Sequence, residues 1–273
     1  MHGLGNDFIV IDNLNGKINL SSKQVAGLCD RHTGIGADGV ILVEPSSRVK
    51  SNQNANADTD EKKDELDCFM NYYNKDGSEA EMCGNGIRCV AKFLRDDCKK
   101  DKKTFKIDTR AAVKEVIWEG KNIFSVNMGR AVFSHNDFPD QSQKIDGLSF
   151  DFVSVGNPHA VSLVEDLTQH DLKTVGPRVE NDESFPNKIN VELIQKIKSG
   201  EYSVKVWERG CGETLACGTG ACAVYAVVKK SKNEAGEITV ILPGGKLYLS
   251  ENKDGEIIMA GEAESVFSGM VSV

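Results

Sequence analysis

Two short segments of nearly the same sequence constrain the fold of this chain most tightly. MCGNGIRCV occupies residues 82–90 and ACGTGACAV occupies residues 216–224, so Cys83 and Cys217 lie 134 positions apart. The same offset aligns CFMNYYN at 68–74 with YSVKVWE at 202–208, and both have the alternating pattern of a β-strand. It also aligns VAKFL at 90–94 with VYAVV at 224–228, which are apolar and compatible with a helix. The pattern predicts a duplicated protein with two lobes, each containing strand, loop, Cys-Gly-x-Gly and helix in the same register.

Other segments fit a mixed α/β chain. Residues 7–12 and 39–44 have strand character, residues 21–31 form an amphipathic helix with a serine cap, and 237–250 predicts a hairpin that turns at Pro-Gly-Gly. A weaker similarity pairs residues 6–12 with 152–161. The segment 34–39 matches GxGxxG, but it follows a helix and precedes a strand, so it is interpreted as a glycine-rich turn. The polar segment 46–66 predicts a loop or a disordered insertion.

Composition excludes several classes of function. The net charge of −8 and the pI near 5.3 argue against a nucleic-acid or anionic-membrane partner. No apolar run approaches the ~18 residues of a membrane span, and the first residues lack a secretory signal pattern. The eight cysteines contain no CxxC pair and the five histidines have no ligand spacing, so no metal site is predicted and a reduced cytoplasmic location is expected.

The repeated motif suggests a particular chemistry. Each cysteine begins a helix whose free amides and glycines can hold a carboxylate and favour a thiolate. A helix end supplies ~0.3–1 kcal/mol, whereas lowering a thiol pKa from ~8.5 to ~7 needs about 2 kcal/mol, so His159 and Glu208 are candidates to help Cys217. Two thiols on opposite faces of an α-carbon could invert it, one as base and one as acid. Nothing in the sequence demands a metal, nicotinamide or pyridoxal phosphate, and no cofactor is expected.

Four blocks together resemble the diaminopimelate epimerase family. They are GLGNDF at 3–8, NKDGSEAEMCGNGIRC at 74–89, GNPH at 156–159 and ERGCGETLACGTG at 208–220. The resemblance implies a pyridoxal-phosphate-independent epimerase that interconverts LL- and meso-diaminopimelate on the route to lysine and peptidoglycan. It implies an α/β (α+β) fold of two pseudo-symmetric lobes, each a mixed, mostly antiparallel sheet wrapped around a central helix. The lobes are expected at 1–118 and 119–263, with a last strand at about 264–273 returning to the first.

The resemblance also assigns residues and partners. Cys83 and Cys217 would be the acid/base pair, with His159 and Glu208 tuning them. The expected substrate-binding residues are Asn6, Asn74, Gly84, Asn85, Asn157, Asn190, Glu208, Arg209, Gly218 and Thr219. Arg209 is expected to bind the distal carboxylate, which its planar guanidinium suits. A homodimer is implied by the family alone. Some members have glutamine at the position of Gly39, so no substrate contact is expected there, and members usually carry a few residues before MHGLGNDF, so an upstream targeting segment is compatible with the sequence.

Two other classes of function are compatible with the cysteine pair. A proline or hydroxyproline racemase-like enzyme would share the architecture, although the GNPH, WERG and GLGND segments argue against it. A thiol redox or sensor protein would instead form a reversible disulfide between Cys83 and Cys217. The other cysteines are assigned to packing or to the surface (Cys29, Cys68, Cys89, Cys98 and Cys222), and Cys211 to a structural role.

Overall fold

A computed structural model describes residues 1–46, 66–232, 234 and 236–272. The polar segment predicted over 46–66 therefore lies outside the described residues except at its two ends. The chain divides into two compact units, an N-terminal unit of Met1–Val126 with Glu262–Val273 and a C-terminal unit of Asn127–Gly261. The lobe boundaries expected at 118/119 and 263/264 stay a prediction. No helix among the described residues is both long and apolar enough to cross a bilayer.

The N-terminal unit is a sheet in which the strands lie side by side in chain order. Two neighbouring pairs, β2–β3 and β4–β5, are parallel, and the other pairs are antiparallel. The strands are β1 (His2–Gly3), β2 (Asn6–Asp12), β3 (Gly39–Glu44), β4 (Cys68–Asn74), β5 (Thr104–Asp108), β6 (Lys114–Gly120) and β7 (Ile123–Gly129), and the helices are α1 (Ser22–Cys29) and α2 (Gly84–Asp96). Helix α1 begins at a Ser21–Gln24 capping box, as its sequence predicts.

The C-terminal unit is a second mixed sheet, in the order β8-β9-β10-β11-β12-β14-β15-β16 with β13 paired to β12. Its strands are β8 (Gln143–Ile145), β9 (Leu148–Ser154), β10 (Pro158–Leu163), β11 (Asn190–Lys198), β12 (Glu201–Glu208), β13 (Gly212–Thr214), β14 (Ile238–Leu242), β15 (Gly245–Glu251) and β16 (Ile257–Glu262). Its helices are α3 (Leu172–Glu180) and α4 (Gly218–Lys232), with a short 3-10 turn at Leu167–Gln169. The hairpin predicted over 237–250 is formed by β14 and β15.

The two units repeat one topology. The series from β1 to β7 and the series β9-β10-β11-β12-β14-β15-β16 have the same sequence of parallel and antiparallel pairs. In each unit one helix connects the second strand to the third, and the cysteine-initiated helix connects the fourth to the fifth. The duplication inferred from the sequence, and the two-lobed mixed fold, are confirmed.

The central helix of each unit starts at the Cys-Gly-x-Gly motif. Helix α2 buries residues on nearly every side, and residues 221–228 of α4 are all buried, as expected for a helix surrounded by its sheet. The second glycine of each motif permits close packing. A Cβ on Gly86 would lie 2.9 Å from Met70 Cε and 3.0 Å from Ile41 Cδ1, so a larger residue would require these side chains to shift.

The closing strand predicted over 264–273 is wrong beyond its first residue. Glu264 forms one bridge with His2, through backbone hydrogen bonds of 2.9 and 2.8 Å. The following apolar side chains are exposed instead, including Phe267 at 69 % and Met270 at 104 % of their reference areas.

Candidate active site

Cys83 occupies the N-cap of α2, so its thiol lies beside the free amides of the first helical turn. Its backbone is extended (φ −137°, ψ 122°), and its side chain makes no capping hydrogen bond. The half-buried thiol instead donates to Asn6 Oδ1 over 3.6 Å. The amides of the turn that begins at Gly84 and Asn85 are therefore not satisfied by the Cys83 side chain, which leaves them able to bind an anion.

The orientation of Asn6 is set by a carboxylate that the sequence analysis did not select. Asn6 Nδ2 donates to Asp38 Oδ2 at 2.9 Å, which turns Oδ1 toward Cys83 and toward Asn85 Nδ2 at 3.3 Å. Asp38 is held in turn by Arg31 Nη2 at 3.0 Å. The glycine-rich turn at 34–39 thus contributes Asp38, which orients Asn6. The sequence analysis interpreted this segment only as a turn.

Asn85 is also oriented from within its helix. Arg88 is fully buried, and it donates from Nη2 to Asn85 Oδ1 at 2.8 Å and from Nη1 to the Gly84 carbonyl at 3.0 Å. The guanidinium places a positive charge under the first turn, where it would favour an anionic ligand. The sequence analysis did not select Arg88, although it directly follows the Cys-Gly-x-Gly-Ile segment of the motif.

Asn74 is placed at the end of β4, within the turn that leads toward Cys83. Its Nδ2 donates to Ser78 Oγ at 3.0 Å, and its backbone N–H donates to the Ser78 carbonyl at 2.9 Å. The carboxamide is half-buried and serves the turn in this state. Substrate binding by Asn74 stays a prediction.

Cys217 precedes the first residue of α4, Gly218, and is only 6 % exposed. Its Sγ lies 3.4 Å from Thr219 Oγ1 and accepts the Gly220 N–H at 3.4 Å. The motif therefore places the thiol, a hydroxyl and the free amides of Gly218 and Thr219 in one helical turn, as the sequence predicted.

Glu208 ends β12 beside Cys217. Its Oε1 accepts from Thr214 Oγ1 at 2.6 Å, and the Cys217 thiol is close enough to lower the pKa of the carboxyl. Burial raises the pKa of Glu208, and the neighbouring carboxyl of Glu192 raises it further, against the lowering effect of these contacts and of His159.

The pKa of the Cys217 thiol is shifted in the direction opposite to the one expected from the sequence. The sequence analysis expected the helix start to favour a thiolate, but the pKa of Cys217 is raised well above its ordinary value. Burial is the largest cause, followed by the negative charges of Glu208 and Glu192. Hydrogen bonds from Thr219 and Gly220 lower it by less. The helix-end effect is outweighed because the thiol is buried and because the sheet also brings two carboxyls to it.

His159 bonds to Asn157, which the sequence analysis selected, and to Glu192, which it missed. The ring is fully buried, with Nε2 2.9 Å from Asn157 Oδ1 and Nδ1 2.7 Å from Glu192 Oε1. Next to it, Asn190 donates from Nδ2 to the Pro158 carbonyl at 2.8 Å and accepts the Arg209 N–H at 3.0 Å. Asn157, His159, Asn190 and Arg209 therefore form one hydrogen-bonded edge of the C-terminal unit.

The turn that carries Arg209 is fixed by another buried carboxylate. Glu180 is 5 % exposed, and it accepts the Trp207 indole N–H at 2.7 Å and the Gly210 N–H at 3.0 Å. The exposed Arg209 guanidinium donates to the Asn187 carbonyl at 2.8 Å. Glu180 thus holds the chain on both sides of Glu208 and Arg209.

The sequence matches one family model along most of its length. The model described as diaminopimelate epimerase covers residues 1–134 and 152–266. The chain belongs to the diaminopimelate epimerase family. A diaminopimelate epimerase of Methanococcus maripaludis strain C5 is 40% identical over 289 residues, spanning 100% of this chain and 98% of its own. One from Trichodesmium erythraeum is 40% identical over 286 residues, spanning 99% and 97%. As a member of this family, the chain is an isomerase.

Two solved structures with low sequence identity to this chain have a similar fold. A Bacillus anthracis phenazine biosynthesis protein of the PhzF family superposes with a TM-score of 0.65 at 17% identity, over 96% of this chain and 92% of its own. A probable proline racemase from Agrobacterium radiobacter superposes with a TM-score of 0.65 at 13% identity, over 100% and 91%. At such identities the likeness concerns the fold alone.

Proposed function

We propose that the chain interconverts LL- and meso-diaminopimelate by acid/base catalysis with two thiols and without a cofactor. The observation that carries the proposal is the duplicated cysteine at the start of each central helix, in a chain of the diaminopimelate epimerase family. The pathway we propose for this reaction is lysine and peptidoglycan precursor biosynthesis. A cytoplasmic homodimer is the expected form of the enzyme.

The proposed reaction moves one proton off the α-carbon and another onto its opposite face. In one direction the Cys83 thiolate takes the α-proton while the Cys217 thiol gives up its own proton, which leaves Cys83 as thiol and Cys217 as thiolate. In the other direction the two roles reverse. No bond other than C–H and S–H bonds forms or breaks, so only the configuration of the carbon changes. Each thiol would contribute about 10²–10⁴-fold to the rate.

The residues around the thiols would hold the substrate. We assign the reacting carboxylate to the amides of Gly84, Asn85, Gly218 and Thr219, because negative charge develops near it as the α-proton leaves. We assign the remaining polar groups of the substrate to the side chains of Asn6, Asn74, Asn157, Asn190 and Glu208. The distal carboxylate would pair with Arg209, whose exposed guanidinium donates to a backbone carbonyl in the ligand-free state.

Deuterium uptake from D2O tests the mechanism. Reduced protein is incubated with LL-diaminopimelate, and NMR follows the α-proton of substrate and product at early times. Two bases predict deuterium in the product but not in recovered substrate, because the incoming proton comes from a thiol that has exchanged with solvent. Cys83→Ala and Cys217→Ala should each lose about 10²–10⁴-fold in rate, and Cys98→Ala should not.

Three results would contradict the proposal in different ways. Early deuterium in recovered substrate would indicate one base, and full activity in either catalytic cysteine variant would remove that thiol from the reaction. Wild-type protein that exchanges proline or hydroxyproline but not diaminopimelate would be a racemase of the related kind.

A further inference from the structure

Strand register shows which residues occupy equivalent positions beside the two cysteines. The 134-residue offset pairs Tyr73 with Trp207, and these residues lie opposite Val40 and Val191 on the neighbouring strands. One residue further along, Ile41 of β3 is therefore equivalent to Glu192 of β11.

The same register extends to the adjoining strands. Phe8 lies opposite Gly39, and His159 lies opposite Asn190, so Phe8 and His159 are equivalent. The offset also pairs Asn74 with Glu208, and Arg88 with Cys222. Around the two thiols the duplicated scaffold therefore has opposite electrostatics. The N-terminal unit has neutral groups and a buried cation where the C-terminal unit has a buried histidine and two buried or half-buried carboxyls.

Glu192 lies directly against the turn that carries Cys217. A Cβ on Gly220 would be 2.6 Å from Glu192 Oε1 and 3.4 Å from Cys217 Sγ. At the equivalent Gly86, the close atoms belong to Met70 and Ile41. The absence of a side chain at Gly220 thus brings a carboxylate, rather than a hydrocarbon, close to the thiol.

Hydrogen bonds fix the orientation of the His159–Glu192 pair. Asn157 Oδ1 only accepts, so His159 Nε2 carries a proton. His159 Nδ1 lies 2.7 Å from Glu192 Oε1, a hydrogen bond that holds one further proton between the two groups. Glu192 Oε2 has no hydrogen-bond partner among the described residues. The imidazole end of this pair faces Asn157, and the carboxyl end borders Gly220 and Cys217.

We propose that Glu192 is a positioning residue that makes the two thiols unequal: held by His159, its carboxyl adds to the effect of burial and favours the protonated, proton-donating form of Cys217. The role in catalysis rests on the two-thiol function proposed above. The electrostatic role does not, because it concerns the resting protein.

The charges that face Cys217 come from three strands and its own helix. Glu208 lies on β12, Glu192 on β11 and His159 on β10, and α4 contributes the Thr219 hydroxyl and the Gly220 amide. After burial, Glu208 and Glu192 are the causes that raise the pKa of Cys217 most. Removing the Glu192 charge should therefore increase the thiolate fraction at any pH below that pKa.

Alkylation of Cys217 tests this without substrate. Reduced protein is treated with iodoacetamide between pH 7 and 9.5, and mass spectrometry gives separate rates for the peptides that contain Cys217 and Cys83. The key variant is His159→Phe/Glu192→Ile, which copies the Phe8 and Ile41 pair into the C-terminal unit. At pH 8 its Cys217 rate should rise at least about tenfold, since removing a like charge at this range shifts a thiol by about one pH unit or more.

Controls separate electrostatics from damage to the fold. The Cys83 rate should stay unchanged in the double variant, and Glu192→Gln, which is isosteric and uncharged, should raise the Cys217 rate in the same direction. Glu165→Gln removes an exposed carboxylate from the same unit and should change neither rate.

An unchanged or slower Cys217 rate in Glu192→Gln would overturn the proposal, even if the double variant failed to fold. A faster Cys217 rate in a protein that does not epimerise diaminopimelate would uphold the electrostatic role and refute the proposed function instead.

Discussion

Gly220→Ala should destabilise the protein although it places a better helix former in α4. The added methyl would lie 2.6 Å from Glu192 Oε1, a distance that real Cβ contacts do not adopt. Glu192 is fully buried and bonded to His159 at 2.7 Å, so it cannot move away without breaking that pair. Overpacking a buried site costs about 1–3 kcal/mol and leaving a buried hydrogen bond unmade about 1–3 kcal/mol more, whereas alanine in a helix gains about 1 kcal/mol over glycine. The net loss should be roughly 1–5 kcal/mol.

Thermal unfolding measures this loss against a matched control. At about 2–4 °C per kcal/mol for a protein of this size, Gly220→Ala should lower Tm by roughly 2–20 °C. Gly27→Ala in α1 is the control, because its Cβ would meet nothing within 4 Å and should leave Tm equal or higher. In a Glu192→Ala background the Gly220 substitution should cost less, because the opposing carboxylate is gone. Equal Tm values for Gly220→Ala and wild type would refute the argument.

Three further results are expected from the site. Glu208→Gln should have a higher Tm than wild type as pH rises through the usual carboxyl range, because the pKa of Glu208 is higher in the folded than in the unfolded protein and its ionisation therefore opposes folding. Epimerase activity of this variant should fall, and a difference in Tm that does not depend on pH would contradict the burial argument. Asp38→Asn should lower kcat/KM about tenfold or more by letting the Asn6 carboxamide turn, with exposed Asp101→Asn as control, and unchanged kinetics would remove Asp38 from the site. Arg88→Lys should raise KM, because one ammonium cannot replace the fork that binds Gly84 and Asn85, and an unaltered KM would show that the fork is dispensable.

The fold was predictable because the duplication appears in the sequence at one constant offset. Cys83 and Cys217 both precede central helices, and the strands at 68–74 and 202–208 are formed as expected. These elements are determined by local sequence patterns, namely the alternation of polar and apolar residues, the positions of glycines and runs of helix-compatible residues. Among the described residues of the predicted closing strand, only Glu264 is paired, and that pairing is with His2, which is distant in sequence.

The electrostatics of the site were not predictable in the same way. Glu192 lies in NVELIQKIK, where a polar residue beside apolar ones suggests a solvent-facing position. The first five residues of β11 are all buried, so the alternation of polar and apolar residues does not indicate which side chains are buried there. Glu192, Glu208 and His159 come together only through the register of three strands. The raised pKa of Cys217 follows first from its burial and then from the two carboxyls that this register brings to it, so the helix start alone gave the wrong direction.

The placement of Glu264 has a consequence for the order in which the chain acquires its structure during synthesis. His2 and Asn122 both bind this residue, through the backbone bridge and through Asn122 Nδ2 donating to Glu264 Oε1 at 2.8 Å. Everything from Asn127 to Gly261 leaves the ribosome before Glu264 does. The C-terminal unit therefore has its full complement of strands first, and β1, although translated earlier, obtains its second neighbour only when Glu264 emerges.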